Sequence, residues 1–263
     1  MKILFIGDVV GKPGMRLLSK IVPQFKNSNG YNPICINGEN SAGGFGITRR
    51  GTLKLKKYGC DVITTGNHII DRKEELAEVF NLPNVIRPLN YESTFPGNGW
   101  TLFEREGARC VIVNLQGTVF MPEEPKTISP FTVIKENLKK IRAMAPIIIV
   151  DFHAEATAEK IAMRYFLDGK ISALIGTHTH VRTADENITK KGTAYITDVG
   201  MTGSFDSVIG MQKSPIIRKF FGDQDAHLRL AKQDVRMDAV EIKINNDNGK
   251  AYSIRSFQIA EDT

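Results

Sequence analysis

The chain has 263 residues, 41% hydrophobic and 24% charged, which is enough apolar content for one large domain spanning residues 1–263. No apolar run approaches the ~20 residues that cross a bilayer, and the N-terminus turns acidic too soon for a signal peptide, so we expect a cytoplasmic protein without a membrane partner. The net charge of +6 is spread over short clusters, which favours anionic substrates and weak contact with RNA.

Three short apolar runs in the first third of the chain are predicted to be buried strands. They cover residues 2–7, 33–37 and 61–65, and turn residues bound each of them. Each is followed by a loop and a helical pattern, a rhythm typical of parallel strands with helical crossovers. By itself this rhythm predicts one doubly wound sheet, whose ligands bind beyond the carboxyl ends of its strands.

The helices between these strands carry recognisable start signals. A loop is predicted over residues 11–14 and a helix over residues 15–27, where leucine, isoleucine and valine recur at helical spacing. Thr48 is the predicted N-cap of the next helix. Asp71 is predicted to cap a third helix, with Glu74 completing a near capping box.

The remaining elements are less regular. Residues 84–128 are rich in proline and glycine, and a hairpin is predicted there from runs 99–105 and 109–115 around Glu106. Residues 201–236 lack clear periodicity and are predicted to be a lid or a contact in a homo-oligomer. The other predictions are a helix over residues 129–144, strands at 146–150, 171–175 and 193–197, a helix over 155–167, and a hairpin of 239–244 with 251–259.

Polar side chains with metal-binding chemistry follow the predicted strands. His178 and His180 stand two apart after an apolar run, and an extended backbone would direct both to one side. Mixed oxygen and imidazole donors suit first-row transition ions. Seven donors fall at strand ends: Asp8, Glu39, Asn40, Asn67, His153, His178 and His180. Each alone is explained by a cap, a turn or a core hydrogen bond, but together they predict a metal centre.

Three side chains acquire specific roles from their neighbours. Glu39 is the candidate bridging ligand, because one carboxylate can join two metals about 3.5–4 Å apart and Asn40 offers a second donor. His68 follows Asn67 and is a candidate proton donor to a leaving oxygen, with a ligand role or a structural hydrogen bond as alternatives. Asp198 is a candidate acceptor for the second ring nitrogen of a metal-binding histidine.

Six segments together resemble the YmdB-like branch of the calcineurin-like metallophosphoesterases over nearly the whole chain. They are residues 4–11, 37–40, 65–68, 151–156, 176–180 and 195–203. The resemblance implies a four-layer α/β sandwich, with two mixed β-sheets flanked by helices, in place of one doubly wound sheet. It also implies a di-iron or di-manganese centre and phosphodiesterase activity on cyclic nucleotides, 2′,3′-cyclic ones included and 3′,5′-cyclic ones as further candidates.

Matching motif positions implies a role for each predicted donor. Asp8, Glu39, Asn40 and His180 would hold one metal, and Glu39, Asn67, His153 and His178 the other. A hydroxide bridging the metals would then attack the phosphate in line, and His68 would protonate the departing alkoxide. The branch usually carries Thr-Trp after this histidine, where the present chain has Ile69 and Ile70, a difference that bears on substrate preference.

Two other functions stay open from the sequence. The same centre would serve a phosphomonoesterase or a phosphoprotein phosphatase, which relative rates on mono- and bis-nitrophenyl phosphate would separate. A regulatory RNA-binding protein with a structural metal site is the other alternative. His68 argues against it, because a purely structural site needs no spare acid.

Overall fold

The computed structural model describes residues 1–28, 30–105 and 107–261, and its centre consists of two β-sheets. The strands in chain order are β1 (Lys2–Ile6), β2 (Asp8–Val9), β3 (Ile34–Asn37), β4 (Val62–Thr64), β5 (Trp100–Arg105), β6 (Ala108–Gln116), β7 (Ile147–His153), β8 (Ala173–Thr177), β9 (Asn187–Ile188), β10 (Ala194–Ile196), β11 (Met201–Ser204), β12 (Val235–Ile244) and β13 (Ala251–Ala260).

The first sheet has the strand order β2-β11-β12-β1-β3-β4, with β13 paired to β12, and the second has the order β5-β6-β7-β8-β10-β9. Strands β1, β3 and β4 are parallel, as the rhythm of the first 80 residues predicts. Antiparallel β12 lies beside β1, and parallel β6, β7 and β8 belong to the other sheet. The prediction of a single doubly wound sheet is therefore wrong, and the two-sheet expectation is confirmed.

Six α-helices and one 3₁₀ helix flank or connect the strands in the part of the chain that the structure describes. They are α1 (Gly11–Ser28), α2 (Arg49–Tyr58), a 3₁₀ helix (Asn67–Glu75), α3 (Leu76–Phe80), α4 (Pro130–Met144), α5 (Thr157–Leu167) and α6 (Lys213–Phe220). One apolar cluster, which includes Leu18 and Leu55, packs α1 and α2 on the first sheet. A second, with Phe5 and Ile149, fills the space between the sheets. A third, with Ile134, joins α4 to the second sheet, which completes the four layers.

Of the predicted starts of α1 and α2, one is wrong and one is confirmed. Helix α1 already begins at Gly11, so the predicted loop over residues 11–14 is wrong. Pro13 does not interrupt the helix, because the first turn leaves backbone N–H groups unbonded and suits the fixed φ of proline. The predicted cap at Thr48 is confirmed, since its side-chain oxygen accepts a hydrogen bond from the backbone N–H of Gly51 at 3.1 Å.

The second half of the chain follows its predicted elements closely. Strands β5 and β6 form the predicted hairpin, whose turn residue Glu106 lies outside the described residues. Residues 201–236 contribute β11 to the first sheet and carry α6 on the surface. The C-terminal hairpin of β12 and β13 is confirmed. Among the residues that the structure describes, no helix is long and apolar enough to cross a membrane.

Candidate metal centre

The predicted donors converge where strands of both sheets end. Asp8 follows β1, Glu39 and Asn40 follow β3, and His153 is the last residue of β7. Asp8, Glu39 and His153 are completely buried, and Asn40 and Asn67 nearly so. Two sheets packed face to face thus bring polar groups from distant parts of the chain to one shared edge, as the parallel-strand rule predicts.

The tightest group of donors contains one carboxylate and two imidazoles. Ligand atoms of Glu39, His153 and His178 all lie within 4.8 Å of one another. The Nε2 atom of His153 is 3.0 Å from Glu39 Oε1 and 3.0 Å from His178 Nδ1. Asn67 Oδ1 is 3.1 Å from the same Nε2. Converging oxygen and nitrogen lone pairs of this kind form a fitting site for a transition-metal cation.

The remaining donors lie beside this group and include unpartnered oxygens. Asn40 Nδ2 is 3.1 Å from Glu39 Oε1 and 3.2 Å from His180 Nε2. Asp8 Oδ1 and Asn40 Oδ1 are buried without a hydrogen-bond partner among the described residues. A buried acceptor without a partner costs about 1–3 kcal/mol, and a cation would supply that partner. The residues therefore fit a metal.

The two histidines of the Gly-Thr-His-Thr-His motif reach the site through an unexpected backbone conformation. Strand β8 ends at Thr177, and the φ angles of His178 and His180 are 103° and 63°. Both lie in the left-handed region, which non-glycine residues rarely adopt. The prediction that an extended backbone directs both rings to one side is therefore wrong, although both rings do reach the donor group. Strain of this kind is common where structure holds functional side chains in place.

Asp198 supports this histidine loop through its backbone. Its Oδ2 accepts hydrogen bonds from the backbone N–H of Thr179 at 3.1 Å and from the buried Lys160 ammonium at 2.8 Å. Lys160 also donates to the carbonyl of Thr177 at 2.9 Å. Asp198 is therefore not the acceptor for a histidine ring that the sequence suggested. Together with Lys160 it holds the residue between the two histidines.

The second nitrogen of His153 is held by a relay that the sequence analysis missed. Nδ1 of His153 is 2.9 Å from Thr177 Oγ1, whose hydroxyl donates to Asp151 Oδ1 at 2.7 Å. Burial raises the pKa of Asp151 to about 6. The alternation of side chains along β7 places Asp151 and His153 on the same face, so the Asp-x-His spacing was a usable signal.

The other two histidines have acceptors of their own. His178 Nε2 is 3.2 Å from Glu155 Oε2, and His180 Nδ1 donates to the carbonyl of Ile209 at 3.0 Å. These bonds leave His178 Nδ1 and His180 Nε2 facing the other donors, at 3.0 Å from His153 Nε2 and 3.2 Å from Asn40 Nδ2. Histidines that bind metals usually donate their other ring nitrogen in this way. Ile209 acts through its backbone and could not be identified from sequence.

The charges of the central group depend strongly on one another. Burial would raise the pKa of Glu39, but the adjacent His153 charge and hydrogen bond lower it to about 2. Burial would lower the pKa of His153, but Glu39 and Asp8 raise it to about 9. Burial and the His153 charge lower the pKa of His178 to about 3. Burial raises the pKa of Asp8 well above its ordinary value. One positive charge, on His153, is thus favoured beside Glu39, and a second one on His178 is disfavoured.

His68 lies at the rim of the centre and has its own acidic partner. Its backbone N–H donates to Glu39 Oε2 at 3.0 Å, and its Nδ1 is 2.8 Å from Asp71 Oδ2. The ring meets Phe45 edge to face, with centroids 5.2 Å apart, and the side chain is 32% exposed. The predicted capping box of Asp71 and Glu74 is wrong, because the 3₁₀ helix has already begun before both residues.

The chain is similar to known proteins over nearly its whole length. The family model described as YmdB-like protein matches residues 4–257. The chain is similar to the 2′,3′-cyclic-nucleotide 2′-phosphodiesterase of Bacillus subtilis, with 41% identity over 100% of this chain and 98% of the relative. Two solved structures are also similar over the whole chain. A novel phosphatase from Mycoplasma pneumoniae has 38% identity, a TM-score of 0.93 and 94% of its length covered. A hypothetical protein from Thermus thermophilus has 36% identity, a TM-score of 0.92 and 100% covered.

Proposed function

The chain belongs to the YmdB-like family, and we propose that it is a metal-dependent phosphodiesterase that hydrolyses 2′,3′-cyclic nucleotides. The observation that carries this proposal is the convergence of Glu39, His153 and His178 within 4.8 Å, with the partly exposed His68 at the rim. The printed name of the Bacillus subtilis relative supports the substrate class. Hydrolysis of 3′,5′-cyclic nucleotides is a further part of the proposal.

We propose that the centre holds two ions, iron or manganese. One would be held by Asp8, Glu39, Asn40 and His180, and the other by Glu39, Asn67, His153 and His178. The unpartnered oxygens of Asp8 and Asn40, and the histidine nitrogens that face the other donors, support this assignment. When bound, such ions neutralise phosphate oxygens and lower the pKa of a water molecule.

In this proposal His68 supplies the proton that the leaving oxygen needs. Asp71 holds Nδ1 of the ring at 2.8 Å, which leaves Nε2 as the end available to substrate. In a 2′,3′-cyclic nucleotide, water adds to phosphorus, the bond to the ribose 2′-oxygen breaks, and that oxygen takes the proton. The product is a nucleoside 3′-phosphate. An alkoxide is a poor leaving group, so proton donation at this position contributes typically ~10²–10⁴ in rate.

The decisive experiment measures metal content and product together. Gently purified protein is analysed for iron and manganese and assayed on 2′,3′-cyclic AMP, 3′,5′-cyclic AMP, and mono- and bis-nitrophenyl phosphate. We expect close to two ions per chain, formation of adenosine 3′-phosphate, loss of turnover with a chelator and recovery with manganese. Full turnover after chelation would disprove metal dependence. Faster turnover of the mono- than of the bis-nitrophenyl ester would favour a phosphomonoesterase.

A further inference from the structure

The segment after β6 contacts two elements that carry predicted site residues. Its first residue, Gly117, donates a backbone hydrogen bond to the carbonyl of His153 at 2.9 Å. Further along, Glu124 Oε2 is 3.7 Å from Lys73 Nζ, and Lys73 belongs to the 3₁₀ helix that carries His68. The segment therefore runs from His153, a predicted metal ligand, to the 3₁₀ helix that carries His68, the predicted proton donor.

Phe120 lies in the middle of this segment and has an exposed side chain and an unusual backbone conformation. The residue is 86% exposed, and its φ of 61° lies in the left-handed region that bulky side chains avoid. An exposed aromatic ring gains nothing from the core, and strained backbone persists only where its surroundings hold it. Exposure alone is common for surface side chains, but its combination with a left-handed backbone singles out Phe120 as a candidate ligand contact.

A buried carboxylate anchors the backbone directly before Phe120. Glu159, in the first turn of α5, accepts hydrogen bonds from the backbone N–H of Thr118 at 3.0 Å and from its hydroxyl at 3.1 Å. It also accepts one from the backbone N–H of Val119 at 3.3 Å. Since Glu159 is only 8% exposed, this anchor is part of the core of the second sheet's layer. The aromatic ring is therefore attached to a fixed point beside the centre.

We propose that Phe120 forms a base subsite, where its ring stacks on the nucleobase of the bound nucleotide. This inference rests on the proposed function, because it assumes a nucleotide whose phosphate lies at the metal centre. Phe120 stands three positions after Gly117, so at most ~11 Å of chain lies between them, within reach of a nucleoside monophosphate. Stacking on an aromatic ring accepts every base, because each base has a π-face. The subsite would therefore bind purines better than pyrimidines but exclude neither.

The chain offers a matched control on another surface. Phe220, at the end of α6, is 84% exposed, close to the value for Phe120. The ion pairs of α6, Lys213 with Asp206 and Arg218 with Asp223, stay within its own segment. A Phe220→Ala variant thus removes an equally exposed ring without touching the segment beside His153.

The kinetic test compares a substrate that has a base with one that lacks it. Wild type, Phe120→Ala, Phe120→Tyr and Phe220→Ala are assayed on 2′,3′-cyclic AMP, 2′,3′-cyclic UMP and glycerol 1,2-cyclic phosphate. For Phe120→Ala we expect KM on the adenosine substrate to rise about fivefold to tenfold, with a smaller rise on uridine and none on the glycerol ester. Phe120→Tyr should retain the wild-type KM, and Phe220→Ala should match wild type throughout.

Calorimetry separates failure of the base subsite from failure of the proposed function. Manganese-loaded wild type and Phe120→Ala are titrated with adenosine 3′-phosphate and with glycerol phosphate. If Phe120→Ala binds adenosine 3′-phosphate more weakly but glycerol phosphate equally well, the subsite is supported. Absence of hydrolysis of both cyclic esters would defeat the proposed function but not the subsite. Equal affinities of wild type and variant for the nucleotide, or equal losses on both ligands, would overturn the subsite.

Discussion

Glu39 and His153 are completely buried, whereas the side chain of His68 is 32% exposed and Phe120 is 86% exposed. The buried pair is held by groups from both sheets, and its charges shift one another's pKa values. The rim residues belong to the 3₁₀ helix and to the segment after β6. In the proposed function the two regions would have different roles, since the buried centre would bind metal and the rim would contact substrate. Substitutions in the two regions should therefore fail in different ways.

The largest effect is expected at Glu39. Glu39→Gln keeps the shape of the side chain but removes a negative charge next to His153 Nε2, at 3.0 Å. We expect loss of metal and a fall in kcat beyond the ~10–100-fold that is typical for partners outside the ligand set. Elemental analysis and turnover of 2′,3′-cyclic AMP measure both effects.

Asn40→Ala is the matched comparison for this change, because Asn40 is a neutral donor 3.1 Å from the same carboxylate. It should retain more metal and more activity than Glu39→Gln, since no charge is lost. A Glu39→Gln protein with two ions and full activity would remove Glu39 from its proposed bridging position.

His68→Ala should separate catalysis from metal binding. The variant is expected to keep its metal and to lose ~10²–10⁴ in kcat on a cyclic nucleotide, where the leaving alkoxide needs a proton. The loss should be smaller on bis-nitrophenyl phosphate, because nitrophenolate leaves without protonation. Equal losses of kcat on both substrates, or loss of metal, would show that His68 acts like the buried metal ligands and not as a proton donor.

Asp71→Asn should have a smaller effect that depends on His68. The substitution weakens the bond at 2.8 Å to the ring, and a hydrogen bond to a charged group is worth about 1.5–3 kcal/mol, so kcat should fall roughly tenfold or more. In the His68→Ala background the same change should have no further effect. A double-mutant cycle on kcat measures this coupling, and additive losses would show that Asp71 acts elsewhere.

The smallest effect on turnover is expected at Tyr91, which is buried beneath the rim. Its hydroxyl lies 3.1 Å from the carbonyl of Gly66 and 2.5 Å from Gln116 Oε1. Tyr91→Phe removes the single proton of this hydroxyl and leaves Gln116 Oε1 without its donor, so the free energy of unfolding should fall by about 1–3 kcal/mol while kcat of the folded protein changes little. Denaturant unfolding and steady-state kinetics test this, and a large loss of kcat at unchanged stability would assign Tyr91 to the substrate site.

Most helices and strands could be predicted, because each buried strand and amphipathic helix has a local periodicity. The positions of Asp8, Glu39 and His153 at strand ends could be predicted for the same reason. The division into two sheets could not be derived from that periodicity, since an apolar run shows that a strand is buried but not which strand it pairs with. The resemblance supplied that information.

The sequence by itself determined which donors are available and that parallel strands would gather them at one edge, because strand ends follow from local patterns. Only the tertiary structure decided which atoms of those donors face the centre. Thr177 fixes the ring of His153, and the carbonyl of Ile209 fixes that of His180. The left-handed backbone at His178 likewise depends on its surroundings. Hydrogen bonds between residues far apart in the chain choose these orientations, and no local pattern encodes them.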